Sequence, residues 1–445
     1  NETSAGHNNN STIARTAGQS RAAKRRRRKK FKNDGSVVEG DIFSSLKSVD
    51  SLKKSSEIIG DNDDNAVPIL RAFHRIRRSC QNLTPFVEAL SRPLPLTFRL
   101  RHLSSQQNQR HALVNELLSN HSHLVRPVIY DSTVYQSFCS TCHKKNVEPA
   151  LHKILMEASA SGLIARQEIG SMLPVSALIS GGWLTKKSTV LDMCASPGSK
   201  TLQAFEISKY IVANEIHPTR LEALKSAVER SGLKSSKGLT YTQFDASVFP
   251  CQKRFDVVIA DVPCSGDGTV RKDPRALSLW NPHAATLLHS LQVRILEQAL
   301  RVVKVEGMVS YSTCSFNPIE NEAVVAAVLR KFSTAVEVVE WPDNSFPGLI
   351  RRSGVSDWLV ADCTSSATTG DENQEEETNP VVLRWYDSYN DAVNAGMENV
   401  VETLWPPNSD ETPNFRLHTC TRLWPQDQDT GGFFVSLLKK KRDIN

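Results

Sequence analysis

The sequence predicts an α/β protein: a Rossmann-like, doubly wound sheet makes up the larger part, and a smaller mixed α/β domain precedes it. Three observations carry that expectation. Between Thr185 and Leu438, short apolar runs alternate with amphipathic stretches of helical period, the pattern of βαβ units and a mostly parallel sheet. From Val67 to about Leu178, apolar residues recur at helical spacing, as in Ile69, Leu70, Phe73 and Ile76 and again in Leu151, Ile154, Leu155 and Ala158. A Pro-containing break interrupts them at Arg92-Pro-Leu-Pro-Leu-Thr-Phe-Arg-Leu100. Before that, residues 1–65 are rich in Asn, Ser, Lys, Arg and Asp and poor in large apolar side chains, the composition of a disordered leader. The expected division is therefore 1–65, 66–180 and 181–445, with a Ser/Thr-rich and then Glu-rich exposed insertion at 364–380.

Composition narrows the function classes. With 445 residues the chain is long enough for two or three folded units and a large core. No run approaches the ~18 apolar residues that a membrane helix needs, and no charged segment followed by an apolar one reads as a secretory signal at the start. Nine irregularly spaced cysteines do not make a disulfide framework, so a reducing compartment is expected. The net charge is +6, yet residues 1–35 alone hold ten Lys/Arg against Glu2 and Asp34. Basicity belongs to the leader. Its run Arg21-Ala-Ala-Lys-Arg-Arg-Arg-Arg-Lys-Lys-Phe-Lys32 reads as a nuclear import signal or as a nonspecific polyelectrolyte arm.

Candidate strands are Thr189–Met193, Tyr210–Ala213, Gly238–Thr242, Phe255–Ala260, Met308–Tyr311, Ala335–Val339 and Phe433–Leu438. The first runs into Cys194, Ala195, Ser196, Pro197, Gly198, Ser199 and Lys200 and then an apolar helix, a tight turn that aims backbone N–H groups at a ligand. Ser199 separates Gly198 from Lys200, so the segment is not a P-loop, and it lacks the G-x-G-x-x-G of nicotinamide proteins. The second strand ends at Glu215, where a carboxylate can accept bonds from both ribose hydroxyls of an adenosine. The third is followed by Asp245, placed to accept the adenine amine. Either acid alone reads equally well as a helix cap. A Gly turn and two carboxylates at three successive strand ends suit a nucleoside cofactor with no phosphate chain, and S-adenosylmethionine is the obvious one.

The fourth and fifth strands open into Asp261-Val-Pro-Cys264 and Ser312-Thr-Cys314, which puts two thiols and a carboxylate on the ligand-binding edge of the sheet. Cys194-Ala-Ser-Pro-Gly-Ser-Lys-Thr201, Asp261-Val-Pro-Cys-Ser-Gly-Asp-Gly-Thr269 and Tyr311-Ser-Thr-Cys-Ser-Phe-Asn-Pro-Ile-Glu-Asn-Glu322 resemble the signature motifs of the NSUN (Sun-domain) RNA cytosine-5 methyltransferases. Phe86-Val-Glu-Ala-Leu-Ser-Arg-Pro-Leu-Pro-Leu-Thr-Phe-Arg-Leu100, Arg166-Gln-Glu-Ile-Gly-Ser-Met-Leu-Pro174 and Asp429-Thr-Gly-Gly-Phe-Phe-Val435 resemble its eukaryotic transfer-RNA branch. The resemblance covers about residues 67–440. It implies a class I methyltransferase sheet, an N-terminal domain that contacts RNA, S-adenosylmethionine as cofactor and transfer RNA as substrate.

Carbon 5 of cytosine is too electron-poor to take a methyl cation until a nucleophile adds to carbon 6, and a thiolate suits that step. The resemblance makes Cys314 this nucleophile and gives Cys264 a part in removing the carbon 5 proton and releasing product. It makes Asp261 the acid at ring nitrogen 3 and a neighbour of the cofactor, which residues 194–200, Glu215 and Asp245 bind. DNA cytosine methyltransferases attack with the Pro-Cys thiol and lack the Thr-Cys loop, so the arrangement favours RNA. Two other functions stay open: ribosomal-RNA methylation on the same scaffold, and RNA binding without turnover. The expected site is the nucleus or nucleolus, reached through an import receptor on 21–32; no membrane and no metal is expected. Cys139-x-x-Cys142-His143 is read as coincidence rather than a haem or zinc motif. Arg271, Lys272 and Arg275 are candidates for RNA phosphates, while Trp280, Trp341 and Trp424 are read as packing residues.

Overall fold

The computed structural model describes residues 84–444 other than 102–105, 129–136, 144–147, 232–237, 251–253, 274, 279–281, 343–345, 365–381 and 398–399. The leader 1–65, its basic run, the insertion 364–380 beyond Thr364, and Trp280 thus lie outside the described residues. The chain continues from helix α1 (Thr84–Ser91) through β1 (Pro95–Leu100), α2 (Gln107–Asn120), β2 (Val125–Pro127), β3 (Ser137–His143), α3 (Pro149–Ala160) and β4 (Ile164–Arg166). These strands form an antiparallel sheet in the order β2-β3-β1-β4. Its core joins Phe98 and Leu100 to Leu113 and Leu117 of α2 and to Leu151 and Leu155 of α3, the last two spaced one helical turn apart. Cys139, Cys142 and His143 fall on β3.

Helix α4 (Ile169–Ser180) opens the larger unit. Glu168 caps it by accepting from the N–H groups of Gly170 and Ser171, and Leu173, Ala177 and Leu178 pack under the large sheet. The elements that follow are β5 (Thr189–Asp192), α5 (Ser199–Phe205), β6 (Tyr210–Asn214), α6 (Pro218–Arg230), β7 (Leu239–Thr242), β8 (Phe255–Asp261), α7 (Pro282–Val302), β9 (Val303–Thr313), α8 (Glu322–Phe332) and β10 (Val336–Val339). After them come the short β11 (Arg352–Ser353), a hairpin of β12 (Val360–Thr364) and β13 (Val382–Tyr386), then β14 (Thr421–Leu423) and β15 (Phe433–Lys440).

The large sheet runs β11-β14-β15-β9-β8-β5-β6-β7, with β10 also paired to β15. Strands β7, β6, β5, β8 and β9 are mutually parallel, and β15 enters antiparallel beside β9. The chain leaves β5 toward β6 and β7, then crosses back to β8 on the other side. This reversal makes the carboxyl ends of β5 and β8 the topological switch point where such sheets bind ligands. All seven expected strands are present. The fifth is longer than expected, because β9 keeps pairing with β8 and β15 on both sides as far as Thr313, directly before Cys314.

Local sequence explains the turn after β5. Gly198 has φ 106°, a conformation that favours glycine, and a Cβ there would meet Leu224 Cδ1 at 2.8 Å. Leu224 belongs to α6, whose Leu221, Leu224 and Val228 pack on Ala195 and Ala213 and so seat the turn against the sheet. A buried polar network joins the two sheets. Arg99 of β1 makes a bidentate pair with Glu206, just beyond α5, at 2.8 and 2.9 Å, and Arg101 Nε donates to the same carboxylate at 2.8 Å. Arg99 also donates to Gln167, Gln167 to Gln203 of α5, and Gln203 to Ser176 of α4. Removing one partner of a buried pair leaves uncompensated charge. Glu206→Ala is therefore expected to lower unfolding free energy by about 3–5 kcal/mol in denaturant titrations.

Candidate active site

Three loops meet at the carboxyl edge of β5, β8 and β9. A pocket there is lined by Asp192, Cys194, Ala195, Ser196, Pro197, Ser199, Lys200 and Asp261. Six of these belong to the 194–200 turn predicted to hold the cofactor, and Gly198 shapes that turn. Lys200 is nearly buried; its Nζ donates to Asp261 Oδ2 at 2.7 Å and to Ser171 Oγ of α4 at 2.9 Å. Asp261 Oδ1 accepts from Ser312 Oγ at 2.7 Å. Parallel pairing of β8 with β9 sets Asp261 opposite Ser312, which brings the two loops together.

Glu215 is buried at the end of β6, where Oε1 accepts from the His217 N–H at 3.0 Å and Arg220 lies 3.4 Å from Oε2. Asp245 is exposed after β7 and caps a short 3-10 turn by accepting from the N–H and Oγ of Ser247, both at 2.8 Å. The cap reading of Asp245 thus describes what one of its oxygens does. Neither Glu215 nor Asp245 lines the pocket; Glu215 is near enough for its charge to act on Cys194. Burial pushes the Cys194 thiol well up, and the charges of Asp192, Asp261 and Glu215 add to the effect.

Cys264 and Cys314 stand side by side with sulfur atoms 3.4 Å apart, both half-buried. The Cys264 thiol is held well above its usual range, first by its hydrogen bond to Cys314, then by burial, then by the charges of Cys314, Glu320 and Asp261. The two thiols share one hydrogen bond, in which either sulfur can be the donor. The loops are tightly packed around this pair: Gly268 N–H donates to the Cys314 carbonyl at 2.9 Å, and Gly432 N–H to the Gly268 carbonyl at 2.9 Å. A Cβ on Gly432 would collide with the Phe316 ring at 2.2 Å, so the Gly431-Gly432 step is a close approach of backbone to the cysteine loops.

Other candidates resolve differently. Arg271 is buried, donating to the carbonyls of Arg92, Pro93 and Thr430 and to Asp429, so it ties α1 to the sheet and is not available to phosphate. Lys272 and Arg275 are exposed, Arg275 paired with Asp273 at 2.7 Å. Trp341 and Trp424 are packing residues; Trp424 stacks on Phe316 at 4.9 Å, with Phe86 edge-on to both. Among the described residues no cluster of three or more His, Cys, Asp or Glu could hold a metal, and no helix is long and apolar enough to cross a membrane.

Sequence reasoning missed Asp192, which it placed in the first strand without a role. Its signal was a carboxylate at the end of an otherwise apolar run. Asp192 is buried; Oδ2 accepts from Thr201 Oγ1 at 2.7 Å, while Oδ1 has no hydrogen-bond partner among the described residues. Burial raises its pKa to about 7, against the lowering effect of the Thr201 hydrogen bond, with the Asp261 charge raising it further. Ser171, Ser312 and Glu320 were missed as well.

The sheet order, the antiparallel β15 and the pocket at the switch point define a class I methyltransferase fold. Residues 183–352 match the family model described as 16S rRNA methyltransferase RsmB/F. The multisite-specific tRNA:(cytosine-C(5))-methyltransferase of Saccharomyces cerevisiae is 34% identical over 392 residues, 80% of this chain and 52% of that protein. The tRNA (cytosine(34)-C(5))-methyltransferase of Drosophila melanogaster is 30% identical over 86% of this chain and 54% of its own length. The chain thus spans about half the length of these relatives. In fold it is similar to a methyltransferase homolog from Pyrococcus horikoshii, with TM-score 0.55 and 20% identity over 84% of this chain and 94% of that one. The match over residues 183–352 agrees with the motif resemblance.

Asp192 also sets a pH dependence. An acid whose pKa is raised from 3.8 to about 7 on folding favours the folded state below pH 4 and loses that contribution as pH rises toward 7. Asp192→Asn is expected to flatten this slope, so that its stability relative to the wild-type chain improves from pH 5 to pH 8 by roughly 2.5 kcal/mol, measured by urea unfolding at each pH.

Proposed function

We propose that this chain transfers a methyl group from S-adenosylmethionine to carbon 5 of cytosine in RNA, with transfer RNA as its substrate. The observation that carries this reading is the thiol pair 3.4 Å apart, near enough for the Asp261 charge to act on Cys264, while Asp261 also lines the pocket together with Asp192. The pocket suits a cation. Asp192 offers a buried oxygen without a partner, and the Asp261 and Glu215 carboxylates lie close by. That set fits the ammonium and sulfonium of S-adenosylmethionine, which when bound supplies an electrophilic methyl group.

This chain's residues then do the following. Cys314, with the Cys264 sulfur 3.4 Å away, attacks carbon 6 from one face of the base. Asp261 addresses ring nitrogen 3, held by Ser312 and by Lys200, the proton-bearing group in contact with it. With Cys314 occupying one face, the methyl must arrive on the other, which leaves the carbon 5 hydrogen on the thiol side. The role that the family resemblance gives Cys264, helping in removal of this proton and release of Cys314, is supported by its sulfur lying 3.4 Å from that of Cys314.

Similarity to the tRNA enzymes extends across 80% of the chain, well beyond the sheet, and favours transfer RNA. Ribosomal RNA is the second reading, favoured by the description of the matched family. Labelled S-adenosylmethionine with unmodified tRNA and with rRNA decides between them: label in tRNA is expected, label confined to rRNA reverses the assignment, and label in neither supports RNA binding without turnover. Cys314→Ala should abolish both methyl transfer and any covalent RNA adduct. Cys264→Ala should accumulate that adduct on denaturing gels, because attack survives and release fails. We also propose that the basic run 21–32 engages an import receptor and directs the chain to the nucleus or nucleolus. A fluorescent protein fused to residues 1–65 should concentrate there, and uniform cytosolic fluorescence overturns this.

A further inference from the structure

One buried carboxylate connects the two cysteine loops, and no catalytic step above uses it. Glu320 closes the 3-10 turn Pro318–Glu320, and its side chain is fully buried. Its Oε1 accepts from the Ser265 N–H at 2.8 Å and from Gln292 Nε2 at 3.0 Å. Its Oε2 accepts from Ser265 Oγ and from Ser315 Oγ, each at 2.5 Å. Ser265 directly follows Cys264, and Ser315 directly follows Cys314. Gln292, from α7, donates as well to the carbonyl of Pro263, the residue before Cys264. Among the described residues no Lys or Arg forms an ion pair with Glu320, so hydrogen bonds stand in for water around a buried carboxylate, a placement that is costly unless those bonds are all made.

We propose that Glu320 is a positioning residue for the thiol pair: it clamps the loop carrying Cys264 to the loop carrying Cys314 and so sets the separation of the two sulfur atoms. This rests on the methyl-transfer reading for its purpose and on geometry alone for its mechanism. The two loops leave different strands and have no covalent connection near the site, so backbone pairing of β8 with β9 fixes only their roots. Beyond Asp261 and Ser312 they are tied by the bond from Gly268 N–H to the Cys314 carbonyl, by Phe316 N–H donating to Asp267 Oδ1 at 2.7 Å, by Ser265 Oγ against Ser315 Oγ at 3.2 Å and by the Glu320 carboxylate. Glu320 accepts from both of those hydroxyls, each on the residue next to a sulfur. Its charge has a second consequence, since together with Asp261 and Cys314 it favours the protonated form of Cys264.

The test compares Glu320→Ala, Glu320→Gln and Ser315→Ala in the full chain. Glutamine can keep its carbonyl toward Ser265 N–H and Gln292 and turn its amide toward the two hydroxyls, so it retains the bridge without the charge. Ser315→Ala cuts the leg to the residue after Cys314, together with the contacts of that hydroxyl to Ser265 Oγ and Asn317 N–H, and leaves the Ser265 leg in place. Phenylarsine oxide reports sulfur separation directly: two thiols at bonding distance each give up a proton, the arsenic releases its oxygen as water, and one arsenic links both sulfurs. Mass spectrometry of the peptides bearing Cys264 and Cys314 reads that link.

The wild-type pair should bridge. Glu320→Ala and Ser315→Ala should bridge about tenfold less, and Glu320→Gln should stay near wild type. With unmodified tRNA, Glu320→Ala should lower kcat about 100-fold, while KM for RNA and for S-adenosylmethionine stays within about threefold; glutamine should restore at least about tenfold. Arsenic bridging equal to wild type in both alanine variants overturns the proposal, as does a kcat loss that only tracks the folded fraction on melting. The arsenic readout needs no RNA. A wild-type chain that bridges and transfers no methyl therefore contradicts the activity, while the bridging ratios still decide the clamp.

Discussion

The parallel pairing of β8 with β9 is the constraint on which the site depends. It sets Asp261 opposite Ser312, so the loops that follow must rise from the sheet next to each other. Only then do two cysteines separated by 50 residues in sequence reach a 3.4 Å contact. The same pairing is held from the far side by β15, whose antiparallel ladder runs along β9 up to Thr313. Gly431 and Gly432, just before β15, lie against the Cys264 loop and the Phe316 ring because neither carries a side chain. The sheet thus both carries the chemistry-bearing loops and closes around them.

Electrostatics separates the roles of similar groups. Asp192 and Asp261 share one pocket, yet Asp261 has a lysine and a hydroxyl on its two oxygens while Asp192 has a threonine hydroxyl on one and none on the other. Burial acts on the second far more strongly, which is why its pKa reaches about 7. The Cys264 thiol is raised well above its usual range by its hydrogen bond to Cys314, by burial and by the nearby charges, Glu320 and Asp261 among them.

The N-terminal segment bears on helix α5, which follows the 194–200 turn, through buried charge. Arg99 and Arg101 project from β1 onto Glu206, and the chain of amides from Gln167 to Gln203 continues into α5. Helix α5 begins at the residue after Gly198. A segment outside the large sheet is thereby fastened to the helix that shapes the cofactor site, and α4, packed on the sheet, supplies Ser171 to Lys200.

Much of this was legible in the sequence. Short apolar runs bounded by turns marked all seven strands, because such runs are written locally, and the Asp261, Cys264 and Cys314 loops stood out by their place after those runs. The antiparallel N-terminal sheet and β11 to β14 were not legible: their strands are short, and what defines them is pairing across long separations. Arg271 read as a surface cation and proved to be a buried staple, since burial depends on neighbours 158 and 159 residues away in sequence. Sequence alone therefore determined the order of the strands and which chemical groups stand at their ends, because both follow from local pattern. Tertiary structure alone decided which of those groups lose water and which share a proton, because desolvation and hydrogen bonding are set by partners that only folding brings within reach.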